Sequence, residues 1–285
     1  MNQLEFTKIK VNGVTLHTGT AGPEDGPLIV LLHGFPEFWY SWRHQIEPLV
    51  EKGYRVVVPD QRGYNLSDKP EEVSSYQLDE LRDDVIGLIK HFGRDKSIIA
   101  GHDWGGIAAW HLASTRPEFV EKLIILNSPH PEVFSKVIRK SPSQLLRSWY
   151  VLFFQIPRLP EKLLQANDYE FLKKSLSGSG EGNAFKPNDI NKYTAAWSQP
   201  NAVRSMINWY RGLSSGLRDQ VSFPNIDLPV QIIWGYRDSF LTLQVAEESA
   251  KKCANANVTL VDATHWVQHE QPRIVNQFIL DFIAK

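Results

Sequence analysis

Residues 4–19, LEFTKIKVNGVTLHTG, alternate apolar and polar side chains on either side of Asn12-Gly13. A two-residue period interrupted by Asn-Gly predicts a β-hairpin, because both turn positions need the left-handed backbone these residues tolerate. The pattern then changes. Short apolar runs, PLIVLLHG, YRVVVPD, KSIIAGHD, KLIILNSP, PVQIIWG and VTLVDATH, each end in a polar or glycine-bearing loop. From Gln77 to Phe92 the residues Leu78, Leu81, Val85, Leu88, Ile89 and Phe92 recur every three or four positions, the spacing of a helix with one buried face. Apolar strands separated by such helices predict an α/β fold, a mainly parallel sheet flanked by helices on both faces.

That rhythm stops near His130 and resumes near Leu228. The stretch between reads as aromatic-rich helices, RSWYVLFFQIP, KYTAAWSQP and MINWYRGL, broken by a Gly/Ser-rich loop, SGSGEGN, at Ser177 to Asn183. The expected organisation is one core from 1–130 and 220–285, with a helical cap at 131–219. A chain of 285 residues is long enough to bury such a core as one domain. No internal repeat competes with this reading.

Composition narrows the partners. The formal net charge is -1, which gives no electrostatic reason to expect nucleic acid or a membrane as partner. A single cysteine, Cys253, precludes an internal disulfide and a thiolate zinc cluster. The first residues lack the basic and apolar regions of a signal peptide, and no run approaches the roughly 20 apolar residues of a membrane span. A soluble cytoplasmic protein, monomer or homodimer, is the expectation.

In open α/β sheets, ligands sit beyond the carboxyl ends of the strands. Three apolar runs place a reactive side chain there: KSIIAGHDWGG gives Asp103, PVQIIWGYRDSF gives Asp238 and VTLVDATHW gives His265. Nucleophile, acid and histidine in that order is the chain order of α/β-hydrolases, with Asp103 where the elbow motif usually holds serine. A lone Asp after a strand is often only a helix cap. Here glycines flank it on both sides, as a strained elbow requires and a cap does not. The oxyanion hole of this architecture uses the amide after the nucleophile and one from the loop after an earlier strand, hence Trp104 and Phe35 of His33-Gly34-Phe35-Pro36.

Two other motifs are set aside. Gly212-Leu213-Ser214-Ser215-Gly216 has the serine-elbow spelling but no strand before it, and reads as a loop. His265 and His269 are spaced like a metal pair, but Trp266 stands where a zinc peptidase carries glutamate, so His269 reads as a structural or surface residue. No metal or cofactor is expected.

A carboxylate nucleophile changes the electrophile. Ionised aspartate can displace a leaving group from saturated carbon and form an alkyl ester, which water activated by His265 then opens. Epoxides and carbon–halogen bonds both suit it. An epoxide oxygen leaves as a basic alkoxide and needs an acid, and tyrosine is well matched to that task. The insertion offers Tyr150, Tyr193 and Tyr210. Its aromatics could equally line an apolar passage, with Trp149, Phe154 and Trp266 as the expected substrate contacts.

HGFPEFWYSWRHQ, DQRGYNLSDKP, GHDWGG, WGYRDSF and THWVQHEQP together resemble the epoxide hydrolases of the α/β-hydrolase superfamily, over nearly the whole chain. The resemblance implies hydrolysis of apolar epoxides with water to vicinal diols, with Asp103 as nucleophile, Asp238 as acid and His265 as base. It also matches the family's two epoxide-binding tyrosines to Tyr150 and Tyr210, leaving Tyr193 a packing role. Haloalkane and haloacid dehalogenases are the alternative. Many of the former carry asparagine where Phe35 stands. Fluoroacetate dehalogenases carry arginines after the nucleophile, where this chain has Trp104-Gly105-Gly106-Ile107, and a histidine where Tyr150 sits. A non-catalytic binding protein on the same fold is a third possibility, disfavoured because a receptor has no use for acid and base together.

Overall fold

The computed structural model describes residues 4–177, 184–216 and 223–285. Its sheet has eight strands: β1 (Glu5–Val11), β2 (Val14–Ala21), β3 (Leu28–Leu32), β4 (Arg55–Pro59), β5 (Ser97–His102), β6 (Val120–Leu126), β7 (Val230–Gly235) and β8 (Ala256–Val261). Their spatial order is β1-β2-β4-β3-β5-β6-β7-β8. Only β1 with β2 and β2 with β4 run antiparallel; the remaining pairs are parallel. The first hairpin turns at Asn12 and Gly13, which carry φ of 40° and 75°, the left-handed pair its sequence asks for.

Helices α1 (Ile46–Glu51), α2 (Leu78–His91) and α3 (Trp104–Thr115) lie between the early strands. Between β6 and β7 come α4 (Pro131–Lys140), α5 (Pro142–Arg147), α6 (Trp149–Phe153), α7 (Leu159–Ser177), α8 (Pro187–Trp197) and α9 (Ala202–Gly216). Helix α10 (Leu243–Ala250) lies between β7 and β8, and α11 (Val267–Glu270) and α12 (Pro272–Ile283) follow β8. Within α7 the backbone leaves the helical region from Ala166 to Tyr169. Among the described residues no helix is long and apolar enough to cross a membrane.

The all-apolar strands are buried on both faces. In β3, Val30 and Leu32 pack with Val85, Ile89 and Trp110 on one side, while Ile29 and Leu31 pack with Trp42, Val275 and Ile279 on the other. Burying one such side chain contributes roughly 1.5–3 kcal/mol, so the sheet's middle strands are the most strongly fixed part of the scaffold. A third cluster joins the insertion to the sheet. Phe154, Tyr193, Trp197, Trp209 and Tyr210 pack with Phe38, Trp104 and Trp266, which follow β3, β5 and β8, so the inserted helices lie over the carboxyl ends of the strands.

Two local expectations need correction or restriction. The Gly212–Gly216 segment is the last turn of α9 rather than a loop. Leu213 is buried there, and Gly212 lies so close to the Tyr76 backbone that a Cβ would collide with it; helix packing, not loop chemistry, explains this glycine. Most of the expected Gly/Ser-rich loop, positions 178–183, and the 220 boundary lie outside the described residues.

Candidate active site

Strand β5 ends at His102 and α3 begins at Trp104, leaving Asp103 alone in the turn with φ 50° and ψ -120°. A non-glycine residue held at such angles is strained, and strain of this kind persists where surrounding packing enforces it. A Cβ at Gly105 would run into the carbonyl oxygens of Leu32 and His33, so the glycine lets α3 start hard against the β3 loop. The elbow therefore lifts the Asp103 carboxylate toward the insertion.

The two carboxylate oxygens meet different neighbours. Oδ1 accepts the Phe35 amide at 2.8 Å. Oδ2 lies 3.6 Å from His265 Nε2. Trp104 is the first residue of α3, so its amide has no acceptor within the helix, and its indole packs edge-on to Tyr210 with centroids 4.8 Å apart.

His265 follows β8, and its Nδ1 lies 2.7 Å from Asp238 Oδ2. Asp238 is buried and holds its place by accepting Asn127 Nδ2 at 2.7 Å and the amides of Phe240 and Leu241 at 2.7 and 2.9 Å. Burial alone would raise the Asp238 pKa, but the His265 charge and these donors outweigh it and keep the carboxyl below its ordinary range. Burial likewise disfavours charge on His265, yet the carboxylates of Asp238 and Asp103 overcome it and lift the imidazole to about 10. The three side chains form one chain of contacts.

A cavity of about 430 Å³ opens above them. Asp103, His265, Phe35, Tyr150 and Tyr210 line it, as do Trp149, Phe154 and Trp266. The walls are chiefly apolar and aromatic, as in most small-molecule sites. Tyr150 and Tyr210 face each other with ring centroids 5.9 Å apart. Burial and the nearby Asp103 charge push both phenols well above their ordinary pKa, so they stand as neutral hydrogen-bond donors. Tyr193 is elsewhere: its hydroxyl donates to Glu37 Oε1 at 2.7 Å.

A model of the α/β hydrolase fold matches residues 27–272. The chain is 53% identical to the AB hydrolase superfamily protein YfhM of Bacillus subtilis, covering 99% of each. It is 40% identical to epoxide hydrolase 4 of Mus musculus, covering 98% of this chain and 79% of that protein. A crystal structure of a mutant epoxide hydrolase from Bacillus megaterium, complexed with its naphthyloxy diol product, superposes with a TM-score of 0.90 at 32% identity over 98% of this chain and all of that one. The chain belongs to the epoxide hydrolases of the α/β-hydrolase superfamily.

Around this epoxide hydrolase site lies a buried layer that sequence reasoning missed. Glu37, two residues beyond Phe35, is 1% exposed. Besides Tyr193 it meets His269 Nε2 at 2.7 Å, His102 Nδ1 at 3.2 Å and Gln268 Nε2 at 3.3 Å. These partners outweigh the burial that would raise its pKa and hold it as the carboxylate. His269 is 4% exposed, a structural residue and not a surface one. Its Nδ1 lies 2.8 Å from an Arg43 N–H and so acts as acceptor, which leaves the proton on Nε2 toward Glu37 and the ring neutral. Burial accordingly lowers its pKa to about 4. His102 Nε2, in turn, lies 2.9 Å from the His265 carbonyl, linking this layer to His265. The available signal was a lone carboxylate inside the aromatic run FPEFWYSW. Among the described residues no group of three or more His, Cys, Asp or Glu is arranged to hold a metal.

Proposed function

We propose that this protein converts apolar epoxides to vicinal diols through a covalent ester on Asp103. The observation that carries the reading is the shared cavity: one carboxylate nucleophile shares it with two neutral tyrosines, Tyr210 buried and Tyr150 half-buried. On this reading residues 131–219 form a cap over the core and supply those tyrosines.

Asp103 Oδ2 attacks an epoxide carbon, and the carbon–oxygen bond of the ring breaks. The leaving alkoxide takes a proton from Tyr150 or Tyr210. Oδ1, bound to the Phe35 amide, remains as the ester carbonyl, where that amide and the Trp104 amide can stabilise an oxyanion. Forming the ester also removes the Asp103 charge, one of the two supports of the His265 proton. The proton it sheds balances the one the phenol gave to the alkoxide. Neutral His265, oriented by Asp238, then takes a proton from water as the water oxygen adds to the ester carbonyl. Collapse releases the diol and leaves one water-derived oxygen on Asp103. Trp149, Phe154 and Trp266 pack against the organic part of the substrate.

The experiment is product analysis with styrene oxide, phenyl glycidyl ether, a bromoalkane and fluoroacetate, following diol and halide separately. Diol from the epoxides with little halide is expected; halide without diol would replace this reading with a dehalogenase using the same aspartate. Mass spectrometry of His265→Gln with epoxide should find the alkyl adduct on the Asp103 peptide, and an adduct elsewhere removes Asp103 from the role.

A further inference from the structure

Exposed apolar residues are not spread evenly over this molecule. Among the described residues fourteen large apolar side chains are exposed, and eight of them fall between Leu145 and Phe171, under a tenth of the chain. Leu146 is 75% exposed, Leu152 64% and Trp149 51%. Leu146, Trp149 and Phe171 also line the Asp103 cavity, so the patch borders its opening. Single exposed apolar residues need no explanation, but a cluster at the mouth of a site does.

The charges around the patch are mainly of one sign: residues 133–177 hold eight lysines and arginines against Glu161, Asp168 and Glu170. Residues 133–160 contain Lys136, Arg139, Lys140, Arg147 and Arg158 and no aspartate or glutamate. Arg139, Lys140, Arg147 and Arg158 are exposed, and among the described residues none of the four has a carboxylate partner. The near-neutral total, which argued against an anionic surface as partner, averages this cationic segment with acidic segments elsewhere.

We propose that the face built by α5, α6 and the first half of α7 docks on an anionic lipid bilayer, setting the cavity mouth against the membrane. Leucines with a tryptophan at the boundary and basic residues at the rim are what an interfacial surface requires. A second copy of this chain fits less well, because a two-fold contact would bring the same cations together. The benefit for catalysis rests on the epoxide reading: apolar epoxides concentrate in hydrocarbon, and a mouth held there receives them without passage through water. Docking itself is measured without turnover, so the two ideas fail separately.

Purified protein is sedimented with vesicles of phosphatidylcholine alone and of phosphatidylcholine mixed with phosphatidylglycerol. Binding to the mixed vesicles, weakening as salt is raised, is expected. The Arg139→Glu/Lys140→Glu pair and the Leu145→Glu/Leu152→Glu pair should each lower partition more than about tenfold, since each cation near an anionic surface contributes about fivefold. These positions lie outside the cavity lining, so hydrolysis of a water-soluble epoxide in plain buffer should persist in both variants. Wild type left in the supernatant with both vesicles overturns the proposal, as does equal binding to both that neither pair disturbs. A concentration-dependent dimer in analytical ultracentrifugation, lost in Leu145→Glu/Leu152→Glu, also overturns it and assigns the patch to a second copy.

Discussion

At the scale of single residues, the proposed mechanism divides the work between a side that makes the ester and a side that breaks it. Tyr150 and Tyr210 come from the insertion, whereas His265 and Asp238 come from the sheet. Because burial and the Asp103 charge keep both phenols protonated, each can serve as the proton donor that the proposed mechanism requires. Tyr150→Phe and Tyr210→Phe should each slow ester formation by roughly 10²-fold, the lower range for positioned acid catalysis, and leave ester hydrolysis unchanged. Single-turnover kinetics that resolve the two steps check this; an unchanged alkylation rate in both variants takes the tyrosines out of the mechanism. The grouping of Asp103, Asp238 and His265 was legible because each stands in the loop just after an apolar run, where topology brings such loops together. The tyrosines were not separable by pattern, since three lie on aromatic helices and only the resemblance to a family selected two. Glu37 was illegible for a different reason: its partners Tyr193 and His269 lie 156 and 232 residues away, beyond any local spacing.

At the scale of elements, two short loops set the geometry of the reaction. The loop after β3 brings Gly34 so near the elbow that a methyl there would lie 2.6 Å from Asp103 Oδ1. The conflict is with Asp103 Cβ and its carboxyl group, not with the far end of a long flexible side chain. Gly34→Ala should therefore displace the carboxylate from the Phe35 amide and lower turnover by roughly 10²-fold or more, the cost of losing one oxyanion-hole donor. Circular dichroism should still show the wild-type fold, because the surrounding strands are unaltered; wild-type turnover with the alanine in place would show that the loop yields. The elements themselves were readable wherever the deciding contacts are local. Asn12-Gly13 fixes its hairpin and the spacing from Leu78 to Phe92 fixes α2. The end of α9 was misread because Gly212 answers to Tyr76, a neighbour brought close only by the fold.

At the scale of the whole molecule, the insertion leaves the sheet at His130, and this junction couples the fold to pH. His130 is fully buried, its ring against Trp110 and Phe223, its Nε2 3.3 Å from Ser114 Oγ and its amide donating to Ser249 Oγ at 3.0 Å. Burial, aided by the Lys252 charge, lowers its pKa to about 4. In the unfolded chain the same ring titrates near 6.5, so between these values the unfolded state binds a proton that the folded state refuses. Its stabilising contribution is complete above about pH 6.5 and is lost as pH falls, by about 3 kcal/mol at pH 4. Denaturant unfolding of wild type and His130→Gln across this range gives the test. The wild type should lose its advantage over the variant as acid is added, with the slope confined to the window between the two pKa values. A difference between the two proteins that does not change with pH would mean that the junction histidine titrates normally, and that acid lability of the fold originates elsewhere.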